Sequence, residues 1–420
     1  MNSPSSDQGR NSSAPAVLLS LLRSKEVALL ASIFLVAATT ALFDSSHTYI
    51  RKPMTALQDN ARTLAPLAIL ALGAAVVIIA GGIDLSLGSM VAFGGTVCVC
   101  LMLVLAPDKF DKGSSVGPVV LTCALGGTLL AGFLVGTLHA WMITSLRLPP
   151  FIVTLGSLVG LRSLSRALSE YVKSVWRNDK SEVITFDDPF FSLLYDHVWI
   201  SVAVMLLLSI VTWVILSRTV LGRHLYALGG NEQAARLSGI RTDNVKWTAY
   251  CFSSMAAALA GVFYVANEQS LTPSSLANGH ELNAIAAAVV GGCSLQGGIG
   301  TVQGTILGAV FLRVVIDAVN RIIKTSANIY EGMIVGVVVV LAVTFSQARE
   351  IVVSGRQLFP GGLGLVAIPT LALLFGLICT LILGPWAGIP AGGVGLAVLV
   401  FLKTLELVRA RSRPTSGEAP

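Results

Sequence analysis

Charge is what this sequence has least of. Only 12% of its 420 residues are Asp, Glu, Lys or Arg, about half the share in an ordinary soluble domain. A chain so short of polar groups cannot cover itself with a water-compatible surface, which excludes a soluble globular protein. Cysteine is also sparse. Cys98, Cys100, Cys123, Cys251, Cys293 and Cys379 lie within or beside apolar segments, without CxxC spacing. They read as small buried hydrophobes, and neither a disulfide framework nor a metal site is indicated. GxxxxGK[ST] and HExxH motifs are absent, as are carboxylate pairs inside an apolar run. The chain therefore lacks the phosphate loop of an ATPase and any recognisable catalytic constellation. His139 and His224 have no companions suggesting ligation and read as packing or surface histidines. Ionisable residues within apolar runs are too few for a proton relay, which argues against an ion-coupled carrier; one that uses backbone carbonyls stays open.

Apolar length is what the sequence does have. Leu64 to Ala80, Val198 to Leu216, Val245 to Val265, Gly332 to Phe345 and Val366 to Leu383 are long apolar runs, near or above the roughly 17 to 20 residues that cross a bilayer as helix. The fold class is an all-α polytopic membrane bundle, with about ten core spans and about two C-terminal ones. The spans are expected at 27–43, 64–80, 88–106, 117–145, 150–168, 198–216, 245–266, 282–293 with 299–316, and 329–346. Residues 44–62 are expected as an outer loop. The first run follows Arg10, Arg23 and Lys25 and is too long for a signal-peptide core, so it reads as a retained span with the N-terminus inside.

Net charge is +6, but the bases sit in loops and tails without interleaved aromatics, which speaks of topology and not of nucleic acid. Arg218, Arg223, Arg236 and Arg241, with Lys246 just beyond, make the 217–245 loop cytoplasmic, and Arg409, Arg411 and Arg413 do the same for the C-terminal tail. Residues 167–197, rich in Asp and Glu, are expected outside. Arg51, Lys52, Arg62, Arg313, Arg321 and Lys324 oppose this arrangement, which the alternation of spans nevertheless requires. The expected layout is a disordered tail over 1–25, a membrane domain over 26–347, further spans over 348–408 and a disordered tail over 409–420.

Three stretches could carry function. In LGRHLYALGGNEQAARLSGI (221–240), Asn231 is a favourable N-cap, Glu232 places negative charge at a helix start and Gly239 ends it. The two-turn helix between them is too short to stand alone in water, so either the membrane domain or a docked partner holds it, unless the stretch is an ordinary ordered loop. In IIAGGIDLSLGSMVAFGG (78–95), Gly81 and Gly82 permit a break whose freed backbone groups need partners. Asp84 at membrane depth either faces a cavity or caps the next helix together with Ser86; the sequence leaves both open. In AIAAAVVGGCSLQGGIGTVQGTILGAV (284–310), another apolar run is interrupted by glycines. Interrupted spans in matching halves point to a translocation path between pseudo-repeats, although small residues also serve close helix packing.

These stretches, with PPFIVTLGSLVGLRSL (149–164), occur in an order that resembles the permease subunits of bacterial ABC sugar importers, the ribose, xylose, galactoside and autoinducer-2 branch. The resemblance runs from about residue 27 to 346 and rests on four motifs in order. It implies a multi-pass protein of the bacterial inner (plasma) membrane with an ABC importer permease fold. That protein would pair with a second permease, identical or related. It would bind cytoplasmic ABC ATPase subunits that hold ATP and Mg²⁺, receive solute from an extracytoplasmic binding protein, and bind no cofactor itself. Carried onto this chain, Gly222, Arg223, Gly229, Gly230, Asn231, Glu232, Ala234, Ala235, Arg236 and Gly239 would couple to the ATPase. Gly81, Gly82, Asp84, Ser86, Phe151, Thr154, Gly291, Gly292, Gly297, Gly298 and Gly300 would border the path. The acidic, aromatic 165–197 region and the 360–405 extension depart from the family pattern. Permeases for branched-chain amino acids or nucleosides are the near alternatives. A self-sufficient carrier or channel, and a scaffold that binds an outside partner, are alternatives of other classes.

Overall fold

The structure is a computed structural model, and it describes residues 25–44, 47–111, 113–322, 332–333, 336–337, 361–383 and 385–411. The expected span at 329–346 lies mostly outside the described residues, as do the termini. Two compact units are present, divided at residues 339 and 340.

The first unit is helical almost throughout. Its elements are α1 (Lys25–Phe43), α2 (Thr48–Arg51), α3 (Pro53–Ile79), α4 (Leu87–Leu105), α5 (Pro107–Asp111), α6 (Pro118–Thr144), α7 (Pro150–Arg177), β1 (Ile184–Thr185), α8 (Pro189–Asp196), α9 (Val198–Arg218), α10 (Val220–Gly230), α11 (Glu232–Leu237), α12 (Thr242–Glu268), β2 (Ser270–Leu271), α13 (His280–Val290) and α14 (Val302–Ile322). Among the described residues, eight helices are long and apolar enough to cross a membrane, so the chain is a polytopic helical membrane protein. α3 and α12 are the most buried of these and form the centre, with α12 packed on α3, α4 and α6. Small residues let their backbones approach. A Cβ at Gly132 would lie 2.9 Å from Met255 Cα, and one at Gly94 would lie 2.6 Å from Ala258 Cα. Close backbone approach of this kind is how helices associate where lipid supplies no hydrophobic drive.

Two expectations are corrected. Residues 44–62 are not a loop, because Pro53 opens α3 and the helix runs unbroken to Ile79. The first three turns of that helix are polar, so they carry no apolar-run signal although they are helical. The 167–197 region is likewise no open loop. α7 continues to Arg177, and the chain beyond it folds back as a lobe. Lys173 binds Asp179 at 2.6 Å and donates to Val183 O at 2.5 Å, and Arg166 meets Glu182 at 2.9 Å. Ile184 and Thr185 pair antiparallel with Leu271 and Ser270, while Phe110, Phe186, Phe190 and Phe191 cluster beneath.

The lobe lies at the Glu268 end of α12, and the polar insert bearing α10 and α11 lies at its Thr242 end. Bases that opposed the charge rule are engaged here. Arg321 binds Asp317 at 2.7 Å with Asp59 at 3.9 Å, Arg313 lies 3.7 Å from Asp317, and Arg62 donates to Tyr195 O at 3.1 Å. Paired in this way they act less as topological signals than free bases would.

Cys123 is exposed on α6, against the expectation of burial, while Cys98, Cys100, Cys251 and Cys293 are buried. The second unit contains α15 (Gly361–Leu383) and α16 (Pro385–Arg411), an antiparallel hairpin in which Gly376 lies against Gly388 and Gly392.

Candidate functional site

The short helix forms as its sequence dictates. Asn231 is extended, and its side chain accepts from Ala234 N at 3.0 Å; Glu232 follows; Gly239 stops the helix with φ 83°. Only a glycine adopts that conformation without strain. α11 has six residues, of which Ala235 is buried, and it is held mainly by charge. Glu232 meets Lys246 at 2.6 Å and Arg236 at 3.8 Å, while Arg236 reaches Thr242 Oγ1 at 3.1 Å. The outward face carries Ala234, Arg236 and Leu237, and Leu237 is 90% exposed.

α10, directly before it, carries the tightest geometry. Its start is fixed by Thr219 Oγ1, which accepts from Gly222 N at 3.2 Å, with Gly222 buried against the carbonyls of Ile215 and Leu216. Its end runs into both interrupted spans. A Cβ at Gly229 would overlap Ile79 O and Gly298 N. One at Gly297 would fall 2.7 Å from Gly229 O and 2.8 Å from Gly81 Cα, and one at Gly298 would fall 2.8 Å from Gly230 N. Gly298 N donates to Ile79 O at 2.9 Å, and Tyr226 OH to Gly300 O at 2.8 Å. Gly81, the Gly229–Gly230 pair and the Gly297–Gly298 pair, distant in sequence, thus meet backbone to backbone. The two breaks expected to correspond are hydrogen-bonded to one another, with α10 wedged beside them. Gly291 and Gly292 close α13 one turn away, where Gly291 packs against Gly304. The 282–316 region is accordingly a short helix, a glycine turn and a long helix, not a pair of full spans.

Asp84 occupies a second, buried cluster. It is 2% exposed; Oδ1 accepts from Ser86 N at 3.0 Å and Ser86 Oγ at 2.6 Å, and Oδ2 accepts from Ser253 Oγ at 2.8 Å. Ser86 is the N-cap of α4, without a side-chain cap bond. Asp84 therefore neither caps α4 itself nor faces open space: it ties the non-helical 80–86 stretch to α12. Thr154 braces the same stretch through Ile83 O at 3.3 Å. Phe151, one turn earlier, points away and is exposed. His139, read from sequence as companionless, is fully buried, with Nε2 2.7 Å from Ser157 Oγ. Of the coupling residues, Arg223 and Gly239 are exposed, while Gly230 is exposed on one side and meets Gly298 through its backbone on the other.

Sequence reasoning missed Tyr226, Ile79, Lys246 and Ser253. Tyr226 stands three residues before a glycine pair already singled out. Ile79 takes part through its carbonyl alone and could carry no residue-type signal.

Residues 57–343 match the family described as branched-chain amino acid transport system / permease component. The ribose import permease protein RbsC of Escherichia coli (strain K12) is 33% identical over 293 residues, 67% of this chain and 83% of that protein. The RbsC of Haemophilus influenzae is 34% identical over 280 residues, 65% of this chain and 79% of that protein. The autoinducer 2 import system permease protein LsrC of Photorhabdus luminescens is 32% identical over 297 residues, 70% and 82%. No solved structure matches.

Proposed function

The chain belongs to the branched-chain amino acid transport system / permease component family, and from that premise we propose that it is the membrane-spanning subunit of an ATP-driven ABC importer for a monosaccharide or related polyhydroxy solute. It works in the bacterial inner membrane beside a second permease. ATP and Mg²⁺ belong to a separate cytoplasmic ATPase, and an extracytoplasmic binding protein delivers the solute. The sugar reading is favoured over amino acids because the relatives above are named for ribose and autoinducer 2.

The glycine junction is the observation that carries the mechanism. α11 presents Leu237 and Arg236 to a partner on the cytoplasmic side. Displacement of α11 moves the end of α10, and Gly229 has no free space in which to absorb that motion. The Ile79 carbonyl and the Gly298 amide shift with it. Packed backbone of this kind passes from one arrangement to another instead of deforming continuously, so nucleotide-driven closure of the ATPases becomes a change in both interrupted spans together. Selectivity rests mainly with the binding protein.

The test is co-purification with an ATPase and a binding protein encoded nearby, followed by ribose uptake in proteoliposomes. Leu237→Asp should abolish ATPase retention while the permease still inserts. Solute movement by the purified chain alone, or retention of the ATPase by Leu237→Asp, would overturn the proposal.

A further inference from the structure

The chain between β2 and α13 runs into the membrane instead of across its surface. Asp84 binds Ser253, and Gly94 packs on Ala258, so Gly88, which lies between them in sequence, stands beside the middle of α12. A Cβ at Gly88 would lie 2.7 Å from Ala277 O and would overlap Glu281 Oε2, and a Cβ at Gly95 would lie 3.4 Å from Leu276. From Leu271 beside the outer lobe, the chain therefore descends to the level at which α4 begins. That is about 12 residues of α12, or about 18 Å, close to half the hydrocarbon thickness. α4 runs outward from this level and α13 runs inward.

Non-helical backbone at such depth survives only where protein or water satisfies it. Much of it is satisfied locally. Arg162 donates to Pro273 O, Ser274 O and Leu276 O at 3.0 to 3.3 Å, and Leu276 N and Asn278 N close tight turns. Ala277 and Gly279 hold φ of 51° and 83°. Yet Ser275 and Asn278 are exposed, and lipid is no partner for them. Glu281, 8% exposed, lies at the first turn of α13 against the first turn of α4, and its Oε2 has no hydrogen-bond partner. A carboxylate there favours the two helix starts that meet at it.

We infer that residues 272–279 form a re-entrant loop lining a water-filled solute passage, with Ser275 and Asn278 offering hydrogen bonds to the solute. That the solute is hydroxyl-rich rests on the function proposed above; the wet loop does not.

The test is thiol labelling of the full chain in proteoliposomes with its ATPase, in a Cys123→Ser background. Ser275→Cys and Asn278→Cys are compared with Leu207→Cys, an exposed position near the middle of α9. The probe is a charged methanethiosulfonate, which needs a thiolate and hence water. Both loop positions should react at least about tenfold faster than Leu207→Cys, the equivalent of one unit of thiol pKa, and the rates should change when vanadate traps the ATPase. Reaction no faster than at Leu207→Cys, or rates indifferent to vanadate, would overturn the inference. If no ATPase associates, the importer reading fails, while the comparison with Leu207→Cys still decides whether the loop is wet.

Discussion

Gly229→Ala isolates the coupling mechanism because its neighbour supplies the control. The added methyl group would overlap Ile79 O and Gly298 N and sit 3.0 Å from Ile79 C. All of these are backbone atoms, which no rotamer change can move aside, so the junction must open. Overpacking of this sort costs about 1 to 3 kcal/mol. Lengthening the Gly298 to Ile79 hydrogen bond, 2.9 Å in the native arrangement, costs a further ~1 kcal/mol. The sum, about 2 to 4 kcal/mol, falls on the contact that joins α10 to both interrupted spans and leaves each helix intact. The same methyl at Gly230 would meet nothing within 4 Å, and its effect should be neutral or stabilising by up to ~1 kcal/mol. The assay is solute-stimulated ATP hydrolysis by the reconstituted complex, with membrane yield and ATPase retention measured in parallel. Gly229→Ala should retain the ATPase but lose most stimulation, whereas Gly230→Ala should keep it. Equal stimulation in the two variants would refute transmission through the junction.

Three other predictions follow from the same geometry. Tyr226→Phe removes only the 2.8 Å bond to Gly300 O; a loss of ~1 kcal/mol should lower stimulation more mildly than Gly229→Ala, and uptake assays can rank the two. Asp84→Ala leaves three donors, Ser86 N, Ser86 Oγ and Ser253 Oγ, without their acceptor where water is scarce. It should destabilise the protein by ~3 kcal/mol or more, and Asp84→Asn should do so far less, as read by thermal denaturation in detergent. In the 178–197 lobe, burial holds the Asp188 carboxyl above the usual carboxylate range, and Asp187 beside it adds to this. The folded state therefore binds this proton more tightly than the unfolded chain, so the lobe gains stability as pH falls through the raised value and loses it toward neutrality. Asp179, held below the usual range by Lys173, acts oppositely and only at more acid pH. Proteolysis of residues 178–197 should slow as pH falls from neutrality toward the ordinary carboxylate range, and Asp188→Asn should flatten that dependence.

Composition and periodicity made the membrane bundle and the short capped helix legible. Long apolar runs leave a chain few alternatives to spanning, and Asn231, Glu232 and Gly239 act through their own backbone. The glycine pairs were legible as breaks, but their meeting was not. Contact between Gly81, Gly229 and Gly297 depends on where α3, α10 and the turn before α14 lie in space, and glycine has no side chain to announce a partner. The polar start of α3 and the ordered 178–197 lobe were misread for a related reason. Pro53 and the Lys173 to Asp179 pair stabilise structure without an apolar run, so hydropathy is silent there. What the sequence determined alone was therefore whatever each segment demands of its solvent and its own backbone. Tertiary structure alone decided which buried backbones touch, because close approach in a membrane depends on the shape of neighbouring helices and not on any residue's chemistry.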